Sequence, residues 1–221
     1  LRFLNEMGQV ISTLDVKGAI WCADTWERGG VIRFAIGTGQ RQVYCIQFDN
    51  GNRSYRWWRA PGAVVSISFE ANGDNVVYGT WQRSFILRST RRGTLWWSNA
   101  IKYSYLPYVK CLGDNDKMSI MEIPNRQDND TLLRITDTDC RNIWEKTLST
   151  QNHSRALVSS SAKYACIGYE QQIVHSGKSI IEEHAVLLDL NGDSVWDKGS
   201  LFLNLHPIAV TDDGCVLALG E

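Results

Sequence analysis

Only four prolines interrupt the 221 residues, with three methionines and four histidines. Scarce proline leaves strands free to run, because each proline removes a ladder donor. No segment has eighteen consecutive apolar residues, which excludes a membrane-spanning helix. No CxxC pair, HExxH, GxSxG elbow, phosphate loop or dinucleotide fingerprint occurs, which removes the common zinc, hydrolase and nucleotide-binding classes. His153, His175 and His206 stand alone, and His184, beside a strand, reads as structural. None pairs with cysteine at ligand spacing, so no metal is expected. An apolar period of 3.6 is missing throughout, which argues against helices packed on a sheet. The chain opens "LRFLNEMG", without an initiator Met or a signal-peptide apolar core, and so reads as an excised domain or a processed product.

What is present favours strands. Eighteen glycines, nine tryptophans and eight tyrosines accompany a β-branched apolar set. A chain of this length buries roughly 70% of its unfolded surface, so it needs no staples. Charge is split along it. Residues 1–110 carry 14 Lys/Arg against 7 Asp/Glu, a balance of +7, and residues 111–221 carry 9 against 17, a balance of −8. Solvated strand edges account for such a split, and an oriented partner is the sharper reading. Cys22, Cys45, Cys111, Cys140, Cys166 and Cys215 mostly sit inside apolar runs. They are expected as buried free thiols in a reducing, cytoplasmic setting.

The stretch "NVVYGTWQRSFILRSTRRGTLWWSNAI" (75–101) shows the organising unit: a strand ending in Gly, a turn, a second strand, a charged turn, then a strand with Trp. The Gly-ended strand recurs as "VIRFAIG" (31–37), "KYACIG" (163–168) and "CVLALG" (215–220), and "KMSIME" (117–122) fits the frame with Glu122 at the Gly position. Trp-bearing strands follow as "YRWW" (55–58), "TLWW" (94–97), "NIW" (142–144) and "SVW" (194–196). One further strand per unit, such as "AIWCAD" (19–24) or "VVSISF" (64–69), makes four. Four short antiparallel strands repeating every forty-odd residues are the signature of propeller blades. The fold class expected is therefore all-β: a five-bladed β-propeller of four-stranded antiparallel blades. The fifth unit stops short at "CVLALGE", and "LRFLN" reads as the strand that completes it. Blade boundaries fall roughly at 6–48, 49–90, 91–136, 137–190, and 191–221 with 1–5. Joining the termini in one blade would remove two sheet edges.

"RRGTLWW", "LNGDSVW", "AVTDDGCVLALG" and "NVVYGTW" resemble the WD40-like, PQQ-type propeller repeats of bacterial and archaeal proteins. The resemblance covers nearly the whole chain and is specific for fold, not for activity. Quinoprotein dehydrogenases of this repeat class are larger, eight-bladed proteins with a metal and cofactor site. No equivalent set of residues occurs here, so no cofactor is expected. Trp57, Trp96, Trp144 and Trp196 recur at matching places and are expected to pack between blades, whereas Trp26 and Trp81 fall in turns and are expected to be exposed.

Strand counting sends tight turns to one side and longer loops to the other. The tight turns form a polar rim whose candidate contacts are Arg28, Asp49, Arg91, Arg92, Asp114, Asp116, Asp139 and Asp212. Turn chemistry alone explains much of that acidic content. The longer segments 99–108, 123–130, 170–181 and 198–207 carry Tyr103, Tyr105, Leu201 and Phe202, the candidate anchors for a protein partner or neighbouring domain. In "SYRWWRA", Arg53, Arg56 and Arg59 beside two tryptophans would suit nucleic acid, but alternation is expected to split these residues between faces. Nucleic acid is therefore not an expected partner. Three glycosylation sequons, at 52–54, 129–131 and 152–154, match chance frequency. The reading that results is a non-catalytic interaction or sensing module within a larger protein. A small-ligand or glycan binder is the alternative, and a five-bladed glycoside hydrolase, which needs two channel carboxylates, comes third.

Overall fold

In a computed structural model the described residues form β-strands and turns, with no helix among them. The structure describes residues 1–81, 84–89, 93–99, 104–112, 117–124, 130–137, 141–149, 153–159, 163–189, 191, 193–200, 206–211 and 213–219. β1 (Arg2–Leu4) pairs with β2 (Val10–Thr13) in a two-stranded sheet. The first four-stranded sheet joins β3 (Ile20–Arg28), β4 (Val31–Thr38), β5 (Gln42–Asp49) and β6 (Asn52–Arg59) in sequence order. The second joins β7 (Val64–Phe69), β8 (Asn75–Thr80), β9 (Ser84–Ser89) and β10 (Gly93–Asn99). The third holds β11 (Ser104–Leu112), β12 (Lys117–Pro124), β13 (Asp130–Asp137) and β14 (Asn142–Ser149). The fourth holds β15 (His153–Val158), β16 (Tyr164–His175), β17 (Lys178–Asp189) and β18 (Ser194–Ser200). β19 (His206–Val210) and β20 (Val216–Leu219) form a last pair. Every pairing described is antiparallel. Each four-stranded sheet ends on its Trp-bearing strand, so the sequence boundaries at 48, 90 and 136 fall between third and fourth strands.

Alternation explains why each sheet has two apolar faces and therefore two neighbours. Ala35, Val43, Cys45 and Trp58 of the first sheet meet Val64, Phe69, Val76 and Tyr78 of the second. Leu133 and Trp144 of the third meet Ala165, Ile167 and Val186 of the fourth. Cys166, Leu187 and Trp196 of the fourth meet Val210 of β19. On the outer side of the first sheet, Phe3 of β1 packs into Ile36, Tyr44 and Ile46. Its ring lies 5.2 Å from Phe34 and 4.9 Å from Phe48. The sheets thus stack face to face in chain order, with a two-stranded sheet at either end of the row.

The Gly near the end of β4 has a spatial reason. A Cβ on Gly37 would lie 2.5 Å from Val64 Cγ1 and 2.6 Å from Cys22 Sγ, so only glycine lets the inner strand of the second sheet approach. Two-residue turns close several hairpins, at Gly29–Gly30, Asn50–Gly51 and Ser176–Gly177, all with positive φ. Such turns match the right-handed twist of paired strands.

Three expectations change. Residues 170–181 are not a loop: β16 and β17 run through them as a ladder from Tyr164↔Asp189 to His175↔Lys178. β-Branched Ile173, Val174, Ile180 and Ile181 and a Ser-Gly turn favour that extended arm. The packing tryptophan of β6 is Trp58, 8% exposed, whereas Trp57 is 55% exposed. Trp58 lies opposite Val43, on the face turned to the second sheet, and its Nε1 donates to Tyr78 Oη at 3.3 Å. Trp26 lies in β3 rather than in a turn and packs against the core between the first two sheets. Trp144 and Trp196 pack against cores as expected, and the side chain of Trp96 lies outside the described residues.

Overpacking at a core approach costs about 1–3 kcal/mol. Gly37→Ala should therefore lower stability by roughly that amount in urea unfolding, while Gly8→Ala, where added bulk meets nothing, should lose less despite its positive φ. Equal losses at the two positions would contradict the close-approach account.

Candidate functional site

The first three sheets converge on one carboxylate. Asp24 Oδ2 on β3 accepts from Ser68 Oγ at 2.9 Å and from the Phe69 N–H at 2.8 Å, both on β7. Its Oδ1 lies 3.3 Å from Lys110 Nζ of β11. Ser68 Oγ in turn accepts from the Cys111 N–H at 3.1 Å, and Ser66 Oγ accepts from the Val109 N–H at 3.1 Å. Small hydroxyl side chains on β7 thus join the leading strands of neighbouring sheets. Around this node lies a cavity of about 230 Å³, lined by Asp24, Trp26, Ser68, Glu70, Lys110 and Cys111 among others. Glu70 is buried and accepts from Asn75 Nδ2 at 2.6 Å. Trp26 walls the cavity in a fixed pose. Its Nε1 donates to Ala71 O at 2.8 Å, Arg33 sits 5.0 Å over its ring, and a Cβ on Gly73 would overlap the indole. Sequence reasoning placed no pair of acids on leading strands. The structure brings Asp24 and Glu70 to one cavity, and hydrogen bonds hold both.

A second concavity, of about 560 Å³, runs between β1 and the first sheet. Ala23, Ile32, Phe34, Ile36 and Phe48 line it, with Leu1, Phe3 and Leu4 on the other wall. It continues the contact that Phe3 begins.

The third feature is aromatic. Trp21, near the start of β3, is 47% exposed, and Trp81, just after β8, is 40% exposed. Their rings lie 5.6 Å apart at 51°. A Cβ on Gly39 would come within 2.7 Å of the Trp21 ring, so this glycine lets the indole lie against the backbone. The exposure expected for Trp81 holds. Trp21 was missed because "AIWCAD" reads as an ordinary buried strand. Both indoles sit at the strand ends opposite the Gly29–Gly30 and Asn50–Gly51 turns, on the side of the longer connections.

His184 is held on both nitrogens, with Nδ1 3.0 Å from Asp197 Oδ1 and Nε2 3.0 Å from Glu182 Oε2. Tyr169 stacks on the ring at 4.8 Å and donates to Asp197 Oδ2 at 2.7 Å. Burial first, then that hydrogen bond and the neighbouring carboxylates, pushes the Tyr169 hydroxyl well above its ordinary range. The cluster anchors the base of the β16–β17 arm. Among the described residues no group of His, Cys, Asp and Glu is arranged to hold a metal.

Of the polar-rim candidates, Arg28 and Asp49 lie exposed at the same end of the first sheet, in register with Val31. Asp49 accepts from Asn50 Nδ2 at 3.1 Å within its own turn. Arg91, Arg92, Asp114, Asp116, Asp139 and Asp212 lie outside the described residues. So do Tyr103, Leu201 and Phe202. Tyr105 falls within strand β11 rather than a loop. The split expected in "SYRWWRA" is present, but it leaves two arginines and two rings together on one face. Alternation puts Arg53, Tyr55, Trp57 and Arg59 on one face of β6 and Arg56 and Trp58 on the other.

No protein-family model and no curated protein sequence matches the chain. A solved structure, hydrazine synthase of Kuenenia stuttgartiensis, aligns with a TM-score of 0.76 at 9% identity, over 96% of this chain and 65% of that one. That structure contains a β-propeller. The likeness is one of fold alone. No helix among the described residues is long and apolar enough to cross a membrane.

The thiols divide by burial. Burial pushes Cys45 up to about 11, and Cys22 and Cys166 up to about 12. It raises Cys111 further, with the Glu70 charge adding to it. Cys215 is exposed, against expectation, because it sits in the Thr211–Cys215 turn that opens β20. Cys140 lies outside the described residues. A thiol reagent applied at neutral pH should label Cys215 fast and the other four only after unfolding, as read by peptide mass spectrometry. Fast native labelling of Cys45 or Cys166 would contradict the burial assigned here.

Proposed function

We propose that the chain is a five-bladed propeller module, built from WD40-like, PQQ-type repeats, that docks a protein partner or neighbouring domain and does no chemistry of its own. The observation that carries the docking reading is the half-exposed Trp21–Trp81 pair, which spans two sheets and is backed by Gly39. Rigid aromatic side chains at a surface supply large buried area at low entropic cost, which suits interface anchors. Strand counting in the sequence assigns the segments of Tyr103, Tyr105, Leu201 and Phe202 to the side of the longer connections. The five-bladed reading rests on the two-stranded sheets at either end of the row. In it, β20 pairs with the open edge of β1, and β19–β20 fill the apolar groove beside Phe3. Free, buried thiols fit a reducing compartment, and we place the module in the cytoplasm on that ground.

The second reading is a small-ligand site in the cavity around Asp24, favoured by the mixed lining of Asp24, Glu70 and Lys110. The oxygens of both acids already accept hydrogen bonds from the fold, which suits joining sheets better than protonating a substrate. The hydrolase reading therefore ranks below it.

The test is a Trp21→Ser/Trp81→Ser double variant. It should keep the melting temperature of the parent, since exposed positions change stability by no more than about 0.5 kcal/mol. It should also bind less of an apolar fluorescent dye and lose the cross-links that the parent forms through this side in extracts of its source cells. A large fall in Tm would show instead that the pair is a local plug. Unchanged cross-links would move the interface elsewhere.

A further inference from the structure

We propose that the outer strand β6 is a binding surface for single-stranded nucleic acid. β6 is an edge strand of the first sheet, with β5 as its one partner among the described residues. One face presents Arg53, Tyr55, Trp57 and Arg59 in that order, all exposed, with Tyr55 at 48% and Trp57 at 55%. A nucleic-acid strand needs cationic groups along its phosphates and flat rings for its bases. Here two rings stand side by side, about 7 Å apart by strand geometry, and an arginine flanks them at each end.

The stripe is partly pre-organised. Arg53 Nη1 donates to Ser12 Oγ at 2.6 Å and to Thr13 O, and its guanidinium lies 5.9 Å from the Tyr55 ring centroid. No ion pair described involves Arg53 or Arg59. Trp58, between them in sequence, is buried in the core, which fixes the register and so holds Trp57 outward. The surrounding half of the chain carries the +7 balance, which complements a polyanion. Acidic peptides would meet the arginines but leave the rings without flat partners, so the alternation favours nucleic acid. This surface is separate from the Trp21–Trp81 pair, and either proposal can fail without the other.

The experiment is fluorescence anisotropy with labelled oligothymidine and oligouridine of about ten nucleotides, a length within single-strand site sizes. Binding should weaken as salt rises, with a slope of about −0.7 per phosphate neutralised. Arg59→Gln should reduce that slope by about one such step. Trp57→Ala should cut affinity roughly ten- to a hundredfold, the range of one stacked base, and Trp57→Phe should restore much of it. Circular dichroism melting keeps the comparison to folded protein, and Arg59→Gln supplies a second handle if Trp57→Ala fails to fold. No binding at low salt would overturn the proposal. So would equal binding of heparin or polyglutamate with no effect of Trp57→Ala, which would mark a general anion patch.

Discussion

A sheet with two apolar faces needs two neighbours, and this constraint governs the whole chain. Each four-stranded sheet here satisfies it by packing between the sheet before and the sheet after. The first sheet buries Val43 and Trp58 on one face and Ile36 and Ile46 on the other. A row of such sheets always leaves two faces at its ends. The chain ends its row with two half-sized sheets, β1–β2 and β19–β20, each carrying two of the four strands that every other sheet has. A ring closed through these halves would cover the apolar part of the end faces, and the apolar groove of about 560 Å³ beside β1 is the space that the joined sheet would fill.

Polar groups do the remaining work near the leading strands, where sheets come too close for large apolar side chains. Ser66 and Ser68 bond the backbone of β11, and Asp24 gathers donors from the second and third sheets. A half-buried carboxylate is tolerable when several donors satisfy it. The same group reaching Lys110 across β7 ties sheets that are not neighbours in the row. Specific hydrogen bonds at the leading strands therefore complement non-directional packing between the other strands. The last strand of the first sheet packs through Trp58 on one face, and its other face can carry surface chemistry such as the Arg53–Arg59 stripe.

Much of the fold was legible because period-2 alternation, Gly-ended strands and Asn-Gly or Gly-Gly turns are local signals. Each strand from β3 to β20 begins or ends near a turn residue that the sequence displays. The site was less legible because its partners are remote: Asp24 finds Ser68 and Lys110 44 and 86 residues away. In "YRWW" the sequence could not say which tryptophan faces inward, since that depends on register against β5. Trp21 looked like core because its exposure comes from its position at the end of a sheet. The β16–β17 arm looked like a loop because its polar Glu, Gln and Ser residues masked an alternating pattern.

The most direct test of ring closure is a distance between the two half-sheets. Cys215 is exposed at the start of β20, and Glu6 lies in the turn after β1. Spin labels on Cys215 and on a Glu6→Cys substitution, read by electron paramagnetic resonance, report their separation in solution. Closure predicts one short, narrow distribution, because β20 would lie beside β1 with these positions at the same end. A long or broad distribution in folded protein would contradict it and leave the sheets an open row.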